Sequence, residues 1–230
     1  MSRLILGILF IILTVLIFYL SKKLYHIIPT PFTLPIFITS LFFVLLLIIF
    51  DIPYQTYMIG GQWLDHFLGP LVVALALPLY RQRHLVKKYA KTIFIGVAIG
   101  SIIGVTSGIV FAKWFSFEEV IIQSIAPKSV TTPVALSIAD SVGGNMTIAA
   151  IGVMIAGIGG GAMFAPLMLR IFRIDHPVAR GLGIGTASHA IGTAKALELG
   201  ELDGAISALA MTITAITVSI IAPFLLQWLL

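Results

Sequence analysis

The constraint that governs this chain is a series of apolar runs unbroken by charge. No Asp, Glu, Lys or Arg occurs between Arg3 and Lys22, between Lys91 and Lys113, between Asp140 and Arg170, or beyond Asp203. A helix needs about 20 mostly apolar residues to cross the hydrocarbon of a bilayer, and runs of this kind have that length. Only 10% of the 230 residues are charged, against roughly 25% in a soluble domain. The expectation is an all-α polytopic membrane protein with about eight membrane-embedded segments. Residues 1–230 then form one integral membrane domain, in which 1–112 supply scaffold helices and 113–230 a transport core.

The net charge of +5 does not indicate nucleic acid. The cations sit in short loops, Lys22-Lys23 and the segment holding Arg81, Arg83, His84, Lys87, Lys88 and Lys91, which is the positive-inside pattern. With no cysteine, thiol catalysis and zinc clusters give no signal. Arg3 before an apolar run resembles a signal-peptide start, but the run is long and further spans follow, so it reads as a first transmembrane helix.

The expected segments are Leu4–Leu20, Leu34–Phe50, Trp63–Tyr80, Thr92–Ala112, Met146–Leu169 and Leu202–Leu230, with a loop over Asp51–Gln62. Charge parity constrains what lies between them. With Lys22-Lys23 and the Arg81–Lys91 loop inside, the fourth segment ends outside, yet Arg170, Arg173 and Arg180 also belong inside. The conflict disappears if Phe117–Asp140 enters and leaves on one side. Two arms of about 10–12 residues reach roughly mid-bilayer. Val178–Glu201 has similar length and reads the same way from the opposite face. Two such re-entrant or broken-helix hairpins, each followed by a long helix, form an inverted repeat of the secondary-transporter type. A broken helix that spans is the rival for the first.

Gly96, Gly100, Gly104 and Gly108 recur every fourth residue, and Gly157 and Gly161 repeat the device. Such small-residue faces let helices approach closely, and the expectation for these glycines is helix packing. In the first hairpin Pro127 and Pro133 interrupt helix, and Lys128, Ser129, Thr131 and Thr132 lie at or between them. Ser129 is placed to cap a helix beginning near Val130, and a helix N-terminus beside Lys128 suits an anion. In the second, Ser188, His189 and Thr193 are candidate substrate contacts. Lys195 and Glu198 can pair. Asp140, Asn145, His189 and Glu198 are candidates for H⁺ or Na⁺ coupling, although a solvated turn explains Asp140 and a carbonyl-bonded structural role explains His189. No metal or organic cofactor is indicated. Ser188 and His189 are sequence neighbours whose side chains diverge on a helix, so they make no nucleophile–base pair, and no enzyme is expected.

At Lys128-Ser129-Val130-Thr131-Thr132-Pro133 and at Gly185-Thr186-Ala187-Ser188-His189-Ala190-Ile191-Gly192-Thr193-Ala194 the chain closely resembles the LrgB/CidB family of bacterial membrane proteins. Gly69-Pro70, Pro78-Leu79-Tyr80, Ala179-Arg180-Gly181 and Ala196-Leu197-Glu198 extend the resemblance. It implies a multi-pass protein of the bacterial cell membrane, a holin- or antiholin-like modulator of murein hydrolase activity and autolysis. A small LrgA/CidA-like partner, or a homo-oligomer, is implied with it. Plastid and bacterial relatives imply instead a carrier of pyruvate, glycolate or glycerate. After Gly143-Gly144 this chain has Asn145-Met146-Thr147-Ile148-Ala149-Ala150, where the family tends to Pro-Ser-Leu-Thr-Ala. That departure bears on substrate rather than fold.

Overall fold

The computed structural model describes residues 2–230 and contains helices but no strands among them. Contacts divide the chain into a unit ending at Ala74 and a unit covering Leu75–Leu230. The glycine-rich helix over 90–114 lies within the second unit, together with both turning segments.

In the first unit α1 (Ser2–Ile27) packs on α2 (Pro35–Ile49) and α3 (Tyr54–Asp65), and a short α4 (Leu68–Ala74) follows. The residues expected to form the loop Asp51–Gln62 are mostly helix. Gly60 does not turn the chain there: it brings α3 against the backbone of Gly7 on α1 so closely that a side chain would collide. The span expected over Trp63–Tyr80 is also split, into the end of α3, α4 and α5 (Ala76–Arg81). Pro70 and Pro78 each sit in the first turn of a short helix, where a missing N–H costs nothing, so each proline starts a new helix rather than kinking a long one.

In the second unit α6 (Arg83–Lys88) leads into α7 (Ala90–Trp114). Next come α8 (Glu119–Ile125) and α9 (Thr132–Ser141). A long helix then runs from α10 (Met146–Met154) through a π-helical stretch, Ile155–Phe164, into α11 (Ala165–Ile171). The chain ends with α12 (Pro177–Leu199) and α13 (Glu201–Leu229). Among the described residues four helices are long and apolar enough to cross a membrane (Arg3–Ile27, Ala90–Trp114, Met146–Ile171 and Glu201–Leu229), and Pro35–Ile49 is a shorter apolar helix. The expected eight embedded segments are thus not eight bilayer-length helices, since the hairpin arms are only half that length.

α7 and α13 run parallel. Ile93 and Val97 cluster with Ile206 and Ala210, and further along Val105 and Ile109 cluster with Val218 and Ala222. Their C-terminal ends are tied by the Lys113 ammonium, which donates to the Leu229 carbonyl. Against this axis both broken segments turn back. From α8 the chain goes in to the 126–131 turn and returns through α9, so that Ser124 accepts a 2.7 Å hydrogen bond from the Asn145 amide. Both ends of this segment lie near the C-terminal end of α13, where Glu119 and Val142 share a cavity with Leu226 and Leu230.

α12 behaves oppositely. Gly181 and Gly185 abut Asp203 and Ser207, in the direction of α13, whereas past the break Thr193 meets Ser207 and Leu197 meets Gly204, in reverse. Both ends of α12 lie beside the N-terminal end of α13. That end also gathers the basic segments: Arg81 pairs with Glu201 at 3.6 Å and the Tyr89 ring packs on His176. The Arg81–Lys91 segment and the residues following α11 thus occupy one end of this unit.

Candidate functional site

The glycines of α7 bring the two turning points together. A side chain on Gly96 would strike Leu182, and a Cβ on Gly100 would lie 2.8 Å from Cγ2 of Thr186. One turn further on, a Cβ on Gly104 would lie 3.4 Å from the Ser129 hydroxyl, and the next position, Gly108, is covered by the Lys128 ammonium. A single helix face therefore carries the first arm of α12 on its lower half and the tip between α8 and α9 on its upper half.

A cavity of about 490 Å³ lies along this face, lined among others by Gly100, Gly104 and Ser107 of α7, Lys128 and Ser129 of the tip, and Thr186 of α12. Its size is that of a small-molecule pocket. The Lys128 ammonium donates to the Gly104 carbonyl at 2.9 Å, and that oxygen also accepts from Ser107 at 3.2 Å. Gly104 stands about 21 Å along a helix of about 36 Å, near half-depth of α7. A cation at the centre of a membrane helix costs about 3 kcal/mol to insert, and a hydrogen bond to a charged group returns about 1.5–3 kcal/mol. One carbonyl barely offsets the cost. Among the described residues no carboxylate pairs with Lys128.

The tip owes its shape to its prolines. Pro127 is fully buried, and Val130 bonds back to its carbonyl at 3.2 Å. Helix resumes only at Thr132, with Thr131 extended before it and Pro133 in the first turn. Ser129 therefore does not cap a helix at Val130. It is buried against α7 instead, and Thr131 and Thr132 are half-buried outside the cavity wall.

The second turning point is closed. Helical backbone is lost at Ser188 and His189, and His189 takes φ 47°, ψ −144°, a costly conformation for any residue but glycine. Its ring is buried and bonds through Nε2 to the Val153 carbonyl at 3.0 Å, which requires the Nε2–H tautomer. The ring edge presses where Gly157 has no side chain, and Ser188 presses likewise on Gly161. Both glycines belong to the π-helical stretch, whose wider winding coincides with this wedge.

Ser188 donates to the Ile184 carbonyl at 2.6 Å. Thr193 reaches the His189 carbonyl and the Ser207 hydroxyl, both at 2.9 Å. Of the substrate contacts expected here, none lines the cavity, and each has a protein partner. The carbonyl-bonded reading of His189 fits.

The coupling candidates are dispersed. Asp140 is exposed at the end of α9, and the Asn145 side chain caps α10 by accepting from Thr147 and Ile148 amides. Glu198 is exposed and paired with Lys195 at 2.7 Å. An ion pair not expected from the sequence is Arg180–Asp203, bidentate at 2.6 and 3.1 Å with the carboxylate buried. It clamps the entry of α12 to the start of α13. Thr186 was also passed over, although it stands inside the second motif; its spacing to Gly100 is visible only once the helices are packed.

A profile of the LrgB-like family matches residues 14–228. The chain is similar to the uncharacterized protein YxaC of Bacillus subtilis, 42% identical over all of this chain and 99% of that protein. It is also similar to the uncharacterized protein YwbG of the same organism, at 39% identity over 96% of this chain and 98% of the relative. The holin-like protein CidB of Staphylococcus aureus is 36% identical over 96% of each chain. No solved structure is a significant match.

Proposed function

The chain belongs to the LrgB-like family, and on that premise we propose that it is a multi-pass carrier of the bacterial cell membrane for small carboxylates such as pyruvate, glycolate or glycerate. The observation that carries the proposal is the Lys128 ammonium, held at half-depth of α7 beside Ser129 in a cavity bounded by both turning segments. An apolar wall with one cation and hydroxyl donors suits a small monoanion; it offers no reactive pair, and the reading is of transport rather than catalysis.

In this reading α8–α9 and α12 are re-entrant hairpins from opposite faces, each followed by a long helix, as an inverted repeat of secondary-transporter type. Support comes from the opposite ends of α13 against which the two segments open. In this reading the basic end of the unit, with the Arg81–Lys91 segment, is cytoplasmic and raises the local concentration of anions there. H⁺ or Na⁺ would supply the driving force, and a small membrane partner or a second copy would complete the assembly.

Uptake of labelled pyruvate, glycolate and lactate into proteoliposomes tests the proposal, with and without a small partner subunit. Saturable flux is expected. Its absence for all three, in protein shown to be folded, refutes the carrier. The name of the Staphylococcus relatives favours a second reading, a holin-like modulator of autolysis without specific transport. That reading requires Lys128→Met and Ser129→Ala to leave a lysis phenotype intact.

A further inference from the structure

We propose that Thr186 is the specificity-determining residue of the cavity, reading an oxygen on the carbon next to the ligand's carboxylate. The inference rests on the carboxylate reading above. Buried hydroxyls on the helices of this unit satisfy themselves: Ser124, Ser188 and Thr193 each donate to a carbonyl one turn back. Three do not. The oxygens of Ser101, Thr186 and Thr214 are buried with no hydrogen-bond partner among the described residues. A buried unpartnered hydroxyl is costly and calls for a specific reason.

Ser101 and Thr214 lie by register between the two apolar clusters of the α7–α13 interface, within the packed core. Thr186 alone of the three lines the cavity, at 6% exposure. Its place is fixed by α7. Thr186 rests on Gly100 and Ser129 on Gly104, positions separated by about 6 Å along the helix axis. Thr186 is therefore the next polar group along the cavity wall from the Lys128–Ser129 pair that would take a carboxylate. A 2-oxo or 2-hydroxy acid held in this way carries a second oxygen, on the carbon beside the carboxylate, that can serve the Thr186 hydroxyl. An unsubstituted acid of equal length reaches the cation but leaves the Thr186 hydroxyl orphaned, and a site that leaves its own polar group unpaired rejects that ligand.

Lactate and propionate differ by the single hydroxyl in question. Their binding to the purified full chain, measured by calorimetry, is the test. The wild type is expected to prefer lactate roughly tenfold, the effect of one well-made hydrogen bond. Thr186→Val should bring the ratio to near one while propionate binding is retained, and Thr186→Ser should restore the preference. Because valine removes an unpaired buried hydroxyl at nearly constant volume, the melting temperature should not fall, which separates recognition from misfolding. A wild-type ratio near one, or an unchanged ratio in Thr186→Val, overturns the inference while leaving the carrier reading standing. Failure of folded wild type to bind either acid overturns both.

Discussion

The two turning points are built from similar materials and put them to opposite uses. At the tip between α8 and α9, prolines hold the chain out of helix, and Lys128 and Ser129 face a cavity with one carbonyl as the ammonium's partner. At the break in α12, Ser188 and His189 are equally polar, but each is bonded to the protein and wedged into glycine gaps of the π-helical stretch. The open tip is where chemistry is available. The closed break is an anchor, and only Thr186, just before it, contributes to the cavity. Polar residues at membrane depth therefore need not mark a site; their unspent hydrogen-bonding capacity does.

Substitutions sharpen this contrast. The largest effect is expected at the closed segment from Gly185→Ala, whose new Cβ would overlap the Ser207 backbone carbonyl. A backbone atom cannot step aside, so a loss of about 3 kcal/mol should appear as failure to accumulate monodisperse protein. His189→Ala should cost about 2 kcal/mol, since it removes the bond to the Val153 carbonyl and empties the space the ring fills against Gly157. The melt should shift while ligand binding per folded molecule stays within about twofold. A selective loss of binding in His189→Ala would instead place the histidine in the site and break the contrast.

At the open tip the signs reverse. Lys128→Met should weaken carboxylate binding more than roughly tenfold, or about 1.4 kcal/mol, with a melting temperature unchanged or raised, because an under-compensated cation is replaced by an apolar chain of similar length. The smallest effect belongs to Gly104→Ala. Its Cβ would meet the Ser129 hydroxyl at ordinary van der Waals distance, so stability should change by no more than about 0.5 kcal/mol, measured in the same thermal assay.

How much of this was legible beforehand differs by residue. The membrane class, the glycine face of α7 and the two polar interruptions follow from periodicity and charge spacing alone, since four-residue glycine repeats and charge-free runs have few physical uses. The shared end of Arg81–Lys91 and the arginines after α11 was legible for the same reason. The internal bonding of Ser188, His189 and Thr193 was not legible, because a sequence shows that a residue is polar and not whether Ile184, Val153 or Ser207 already occupies it. Trp63–Tyr80 was read as one span because apolarity persists through Pro70 and Pro78, and where a proline starts a new helix depends on what packs beside it.

The sequence by itself determined the solvent this chain lives in, where helix must fail and which faces can approach closely, because those are local properties of side chains. Tertiary structure alone decided that the first tip stays open while the second break is filled, and that Thr186 lies one turn of α7 from Ser129. Those outcomes depend on which backbone carbonyls and neighbouring glycines arrive opposite each polar group, and such pairings are made only when helices distant in sequence pack together.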